Sequence, residues 1–322
     1  MKKYFDGMGN NARGILCLMG SLVFLTLSDS IIKWLSPDYA LHQIMLFRAL
    51  FAMIIVAGII WMEGGWITLH TRRPGLHLLR GCLLVFANMF FFLGLASLPI
   101  AETVALFFTA PVFICLMAQP ILGEKVGFWQ WIAIVVGLAG VVIMVRPGAE
   151  VFKLASLFPI IAAFTYAGMQ MVTRKLGMQD KAGTLTFYIQ ISFILVSTII
   201  GLSVGDGRFN SGENQTLEFL FRAWIWPSRH DLYLMAACGF IVAVGGYLLS
   251  QAYRMGQASV VAPFEYTSMP YALIVGYLVW GDWPDSLAFL GSGLIIASGL
   301  VIAWCETRNK KKPLESGIPY TH

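Results

Sequence analysis

Charge is what this chain has least of. Asp, Glu, Lys and Arg make up 12% of its 322 residues, where a soluble domain carries about 25%. A water-soluble fold of this size needs more polar surface than these residues supply. Cysteine is sparse as well, and Cys17, Cys82, Cys115, Cys238 and Cys305 all fall inside apolar runs, so no disulfide is expected. The five histidines show no metal-ligand spacing, and neither a metal site nor a cofactor is expected. No G-x-x-x-x-G-K-[ST] loop is present, nor a soluble domain to hold one, which excludes an ATP-driven pump. A membrane-embedded enzyme would need His, Asp or Ser clustered at catalytic spacing near an interface, and no such cluster is seen. A channel would need a repeated filter or a ring of charges, and a receptor a signalling domain; neither is present.

What fills the chain is hydrophobic sequence, 58% of it. Ten apolar runs of about 18–22 residues are each long enough to cross roughly 30 Å of hydrocarbon. They are expected at 14–34, 41–61, 76–96, 101–121, 128–145, 154–173, 183–203, 231–252, 259–280 and 286–305. The first run is too long for a cleavable signal peptide and lacks a small-x-small site, so it is expected to stay as an anchor. With the N-terminus in the cytoplasm, the cytoplasmic segments hold Lys2, Lys3, Arg13, Arg72, Arg73, Arg80, Lys125, Arg174, Lys175, Lys181, Arg254, Arg308, Lys310, Lys311 and Lys312. The other side holds Lys33, Arg146, Lys153, Arg208, Arg222 and Arg229, with Arg48 inside a span. The positive-inside rule therefore places both termini in the cytoplasm. The tail 306–322 is basic and reads as a stop-transfer flank rather than a nucleic-acid patch.

Most loops are short. The exception, 204–230, starts polar and turns amphipathic from Leu217 to Trp226. It reads as a short interfacial helix with its tryptophans at headgroup level, a gating lid being the alternative. Asn214-Gln-Thr fits a glycosylation sequon, meaningful only in a eukaryotic secretory setting. Trp61, Trp66, Trp129 and Trp283 read as interface anchors.

The second five runs echo the first five. Phe108-Thr-Ala-Pro-Val-Phe, then Leu122-Gly-Glu-Lys, corresponds to Tyr266-Thr-Ser-Met-Pro-Tyr, then Trp280-Gly-Asp-Trp, at an offset of about 158–159 residues. Gly123-Glu124 thus matches Gly281-Asp282, and Phe24 to Lys33 aligns loosely with Phe164 to Arg174. An odd number of crossings per copy inverts the second copy relative to the first, the architecture of a secondary transporter with its site near the midplane. The expected units are 14–145 and 154–305.

Ten spans in two halves, a proline in the fourth span of each and a Gly-acid pair closing it resemble the drug/metabolite transporter superfamily, and within it the EamA family. Phe47-Arg48-Ala49 resembles that family's usual second-span arginine. Pro263-Phe-Glu-Tyr-Thr resembles a branch that includes bacterial importers of S-adenosylmethionine and of riboflavin. Asp282 departs from the glutamate more usual there. The resemblance runs over about 14–305 and implies an all-helical carrier of two inverted five-helix repeats in a bacterial inner membrane, moving a small metabolite.

A charge inside a span faces a cavity or a partner. Asp29 and Arg48 lie roughly 8 and 11 Å deep from the outer side at 1.5 Å per residue, which predicts an ion pair that either fixes two helices or lines an outer vestibule. Lys33 should snorkel to the surface. Glu265, roughly 9 Å deep from the cytoplasmic side, has no basic residue on its own span. It reads as a group that carries a proton through the cycle or meets a cation on the substrate; a carboxyl bonded to a neighbouring helix is the plain alternative. Glu102 reads as a helix N-terminal carboxylate. Pro111, Pro263 and Pro270 are expected to bend or break spans 4 and 9.

Asn88, the i,i+4 pairs Tyr166 with Gln170 and Tyr247 with Gln251, and Tyr266 and Tyr271 read either as helix–helix hydrogen bonds or as a pocket for a planar or amphipathic molecule. Ala133, Gly137, Gly140, Gly291, Gly293, Ala297 and Gly299 serve internal packing of spans 5 and 10 or a homodimer seam. The reading is a secondary active transporter working by alternating access on an amphipathic metabolite with a cationic or aromatic part, proton-coupled through Glu265. Facilitative exchange and efflux are its alternatives.

Overall fold

The computed structural model describes residues 9–98, 100–147, 154–177, 179–209, 215–281 and 283–315. Nine helical stretches among them are long and apolar enough to cross a membrane. These are α1 (Asn10–Leu35), α2 (Leu41–Glu63), α3 (Pro74–Ser97), the pair α4 (Ile100–Phe107) and α5 (Ala110–Leu122), α6 (Phe128–Val145), α7 (Leu157–Gly177), α8 (Ala182–Val204), α10 (Arg229–Met255) and α13 (Ser286–Glu315). The ninth expected span, 259–280, is divided into α11 (Ala258–Val261), a tight helical turn at Ala262–Thr267, and α12 (Ser268–Trp280). Residues 316–322 of the basic tail lie outside the described residues.

Two spans are therefore broken, and they are the two singled out by their prolines. The prolines do not bend helix interiors, however; they start new segments. Pro111 is the second residue of α5, and Pro263 the second of the 262–267 turn. Pro270 is the third of α12. A missing N–H is harmless in a first turn, where no intrahelical acceptor exists. Carbonyls beside the breaks are met by side chains three residues on. Thr109 donates to Leu106 O at 2.6 Å, Thr267 to Phe264 O at 2.7 Å and Ser268 to Glu265 O at 2.8 Å. Gly123 and Gly281 close α5 and α12 at φ 70° and 74°, a left-handed cap open to glycine without strain.

The helices pair reciprocally. α1 lies along α10 and α3 along α7; α2 lies along α8, and α6 along α13. Lipid supplies no hydrophobic drive for such contacts, so they rest on close approach and interhelical hydrogen bonds. Ser21 Oγ donates to Gly245 O at 2.7 Å, and Ser28 Oγ meets Cys238 Sγ at 3.3 Å. A Cβ on Gly140 would come 2.7 Å from Gly291 O, and one on Gly291 2.5 Å from Gly140 O. The small-residue stripe is thus used inside the chain, between α6 and α13, with Gly293 and Ala297 facing outward.

Two local expectations need correction. The interfacial helix α9 spans Gln215–Phe221 only. Residues 222–228 beyond it form no helix, and Arg222 turns back to cap α1 through Ser36 O at 3.0 Å and Pro37 O. Trp224 stacks on His42 at 5.5 Å, at the start of α2, and fills the space over Gly201 near the end of α8; Trp226 is exposed. Arg80 is no flanking charge: it is 2% exposed inside α3. Asn214 and the side chain of Glu102 lie outside the described residues.

Candidate functional site

The centre of the site is the broken ninth span. Glu265 falls in its tight turn, 7% exposed. Two tyrosine hydroxyls donate to the same oxygen, Oε1: Tyr253 of α10 at 2.5 Å and Tyr166 of α7 at 3.1 Å. Gln170 Nε2, one turn further along α7, donates to the Tyr166 oxygen at 2.8 Å. Among the described residues no Lys, Arg or His pairs with Glu265. The arrangement suits a carboxylate that neutral donors can hold in either protonation state, because nothing of opposite charge fixes it as an anion.

Two polar atoms without partners belong to neighbours of this cluster. The Tyr266 hydroxyl and Gln170 Oε1 are buried and make no hydrogen bond. Buried polar groups are nearly always bonded, so two orphans beside one buried carboxylate mark a place for water or for a polar ligand. Tyr266 itself is fully buried against Val141 and Ile295, with its ring over Gly137. Tyr271 is half-buried against a different cluster, the one that holds Tyr253 and Phe264.

A cleft of about 460 Å³ opens above the turn, on the face where α1 ends. It is lined by Asp29 and Lys33 of α1, by Phe108 at the break in the fourth span, and by Ser268, Met269 and Ala272 of α12. Ser268 also holds the Glu265 carbonyl. Phe108 lies 6.1 Å from the Tyr266 ring, so these two aromatics separate the cleft from the carboxylate.

The opposite face, where the chain begins, is closed by a charged network. Arg174 Nε donates to Glu124 at 2.9 Å and its Nη1 to Arg254 O at 2.7 Å. Arg254 in turn donates to Gly177 O at 3.1 Å and Asp180 O at 3.2 Å. The acid of the Gly123-Glu124 pair thus ties the end of α5 to the ends of α7 and α10.

Other expected site residues stand apart from Glu265. Tyr247 and Gln251 form the same hydroxyl–amide relay, but toward Glu63: Tyr247 donates to Glu63 Oε1 at 3.0 Å and Gln251 to Tyr247 at 2.9 Å. Asp29 and Arg48 make no direct ion pair. Arg48 turns toward α8 and lies over the Phe193 ring at 5.3 Å, with Nε lacking a partner. Asp29 faces the cleft instead. Equal depth did not bring them together because α1 and α2 present these residues to different neighbours. Asn88 bonds its own helix at Leu84 O and lines a separate apolar cavity of about 400 Å³ with His42, Phe193 and Phe221. Tyr253 went unnoticed in the sequence, although it lies in the same helix as Tyr247 and Gln251.

Comparison with known proteins assigns residues 12–146 to the EamA-like transporter family. The chain is 27% identical over 311 residues to an S-adenosylmethionine uptake transporter of Rickettsia conorii, covering 97% of this chain and 99% of that one. It is 27% identical over 303 residues to a riboflavin transporter of Vibrio cholerae, covering 93% and 96%. A pseudopaline exporter of Pseudomonas aeruginosa is 21% identical over 290 residues, covering 90% and 95%. A crystal structure at 16% identity superposes with a TM-score of 0.74 over 95% of this chain and 99% of its own, a likeness of fold. The apolar helices make the chain an integral membrane protein, and its first half resembles a transporter family whose full-length relatives are named as carriers of small molecules.

Proposed function

We propose that this EamA-type chain carries a small amphipathic metabolite with a cationic or aromatic part across a bacterial inner membrane by alternating access, with Glu265 as the coupling residue. The observation that carries the reading is Glu265 itself: a buried carboxylate in a broken span, held by two tyrosines and, among the described residues, matched by no cation. A cationic group of the substrate, or a proton, supplies the missing charge. Two inverted units, 14–145 and 154–305, rock around it, and 306–322 is the cytoplasmic tail. The face where the chain begins is cytoplasmic, so the cleft above Phe108 opens outward and the Glu124–Arg174–Arg254 network is the closed inner gate.

The relatives are named as an S-adenosylmethionine uptake transporter, a riboflavin transporter and a pseudopaline exporter. S-adenosylmethionine combines a sulfonium with an adenine, which fits a site of one carboxylate among tyrosines. The test is uptake of labelled S-adenosylmethionine and riboflavin into proteoliposomes, with and without an imposed proton gradient. Saturable uptake of either, competed by unlabelled ligand and raised by inward proton flow, is expected. Unsaturable flux would indicate a channel, and uptake indifferent to the gradient would remove the coupling role and leave exchange.

A further inference from the structure

Arg80 is buried inside a span, and each of its hydrogen bonds goes to a neutral group. Its Nε donates to Thr173 Oγ1 of α7 at 2.7 Å, one terminal nitrogen to Leu185 O of α8 at 2.7 Å, and the other to Ser250 Oγ of α10 at 3.3 Å. A guanidinium carries five N–H donors, and these bonds use three. Among the described residues no carboxylate pairs with it. Other arginines here do have acids: Arg174 has Glu124, Arg222 has Glu218 and Arg146 has Asp285. Asp180, which meets His77 one turn earlier on α3, is already held by that ring at 3.0 Å and by Thr71 at 3.1 Å. A charge at this depth without compensation is costly, and such charges mark substrate pathways.

Arg80 and Glu265 are reached from the same two helices. On α7, Tyr166, Gln170 and Thr173 are spaced four and three apart and share one face; the first two serve Glu265 and the third serves Arg80. On α10, Ser250 serves Arg80 and Tyr253 serves Glu265. Tyr166 and Thr173 are two turns apart, roughly 10 Å along the helix. The site therefore has a negative pole and a positive pole on a shared scaffold, each lacking its counter-ion.

We propose that Arg80 binds the carboxylate of a zwitterionic metabolite whose cationic part meets Glu265. The inference rests on the metabolite-transport reading and sharpens it to a substrate class. The carboxylate takes the unused donors and displaces the long bond to Ser250. A planar bidentate grip of this kind suits arginine and is poorly replaced by lysine.

The experiment compares uptake of S-adenosylmethionine with its decarboxylated analogue, which keeps the sulfonium, amine and adenine, in wild-type, Arg80→Lys and Arg80→Gln proteoliposomes. Riboflavin, which has no carboxylate, is the third probe. Wild type should favour the carboxylate-bearing compound about tenfold to a hundredfold, the range of charge-assisted hydrogen bonds. Arg80→Lys should keep part of that ratio and Arg80→Gln none. Equal uptake of the two compounds by wild type overturns the subsite, and this arm decides even if both variants fail to fold. A ratio preserved in Arg80→Gln overturns it too. Transport of riboflavin with neither S-adenosylmethionine nor any other carboxylate-bearing competitor recognised overturns the subsite and leaves the transport reading standing. Movement of no probe overturns both.

Discussion

At the scale of single residues, the site turns on which donors surround Glu265. Glu265→Gln keeps the side-chain shape and removes the titrating oxygen. It should abolish accumulation driven by a proton gradient while sparing exchange of internal for external substrate, measured by counterflow in proteoliposomes; a variant that still concentrates substrate would sink the coupling role. Tyr253→Phe removes the shorter of two hydrogen bonds to Oε1. A hydrogen bond to a charged group contributes about 1.5–3 kcal/mol, so initial uptake should fall about tenfold or more, with the tyrosine's packing retained. The pairing of Tyr166 with Gln170 was legible in the sequence because i,i+4 spacing fixes a shared face whatever the tertiary structure. Tyr253 was not, because whether a tyrosine at the end of a span reaches a carboxylate on another helix depends on how the two helices cross. Arg80 was counted with the flanking charges although it lies inside the expected span 76–96, because hydropathy does not say whether a long basic side chain near a span end reaches out to the interface or turns into the bundle.

At the scale of elements, the closest packing lies between α6 and α13. Gly140→Ala would push a methyl against the Gly291 carbonyl, a backbone atom that cannot rotate away. Overpacking of this kind costs about 1–3 kcal/mol, and the detergent-solubilised protein should melt several degrees lower. Gly293→Ala meets nothing within 4 Å and should leave Tm unchanged. The junction of these helices is also held from outside the spans. Asp285 accepts from the backbone of Ala288 at the start of α13 and pairs with Arg146. The Arg146 hydrogen bond holds the Asp285 carboxyl below its ordinary value. A depressed folded value means the stabilisation is present above the unfolded value near 3.9 and is lost as pH falls through the lower folded one. Asp285→Asn keeps the cap and loses the ion pair, so its Tm should lie slightly below wild type at pH 7 and converge with it in acid. Asp285→Ala should lie lower still at pH 7, because it loses both. The sequence located the two broken spans through Pro111, Pro263 and Pro270, yet placed the prolines at bends, since composition does not say on which side of a break a proline falls. The interfacial helix was shortened for a similar reason: Arg222 finds acceptors at the end of α1, and a contact across 185 residues leaves no trace in local periodicity.

At the scale of the molecule, the cleft and the charged network predict which face a reagent can reach. In a background without native cysteines, Ala272→Cys should react with a membrane-impermeant thiol reagent from outside intact cells and be protected by a bound ligand. Labelling only from the cytoplasmic side of inverted vesicles would reverse the orientation assigned here. The reciprocal pairing of helices has another consequence, for biogenesis. Span α1 finds its main partner in α10, through bonds such as Ser21 to Gly245 across 224 residues. At roughly 5–20 residues per second of synthesis, α1 waits on the order of 10–45 s in the membrane before that partner emerges. During this interval Arg80 waits for Ser250 of the same late helix, and Arg48 waits in lipid until Phe193 of α8 emerges. The first half can be inserted before it can be assembled, and the ribosome must pass the midpoint of the chain before any of the interlocked pairs can close. Two separately translated halves should therefore each be degraded when made alone and be rescued when made together.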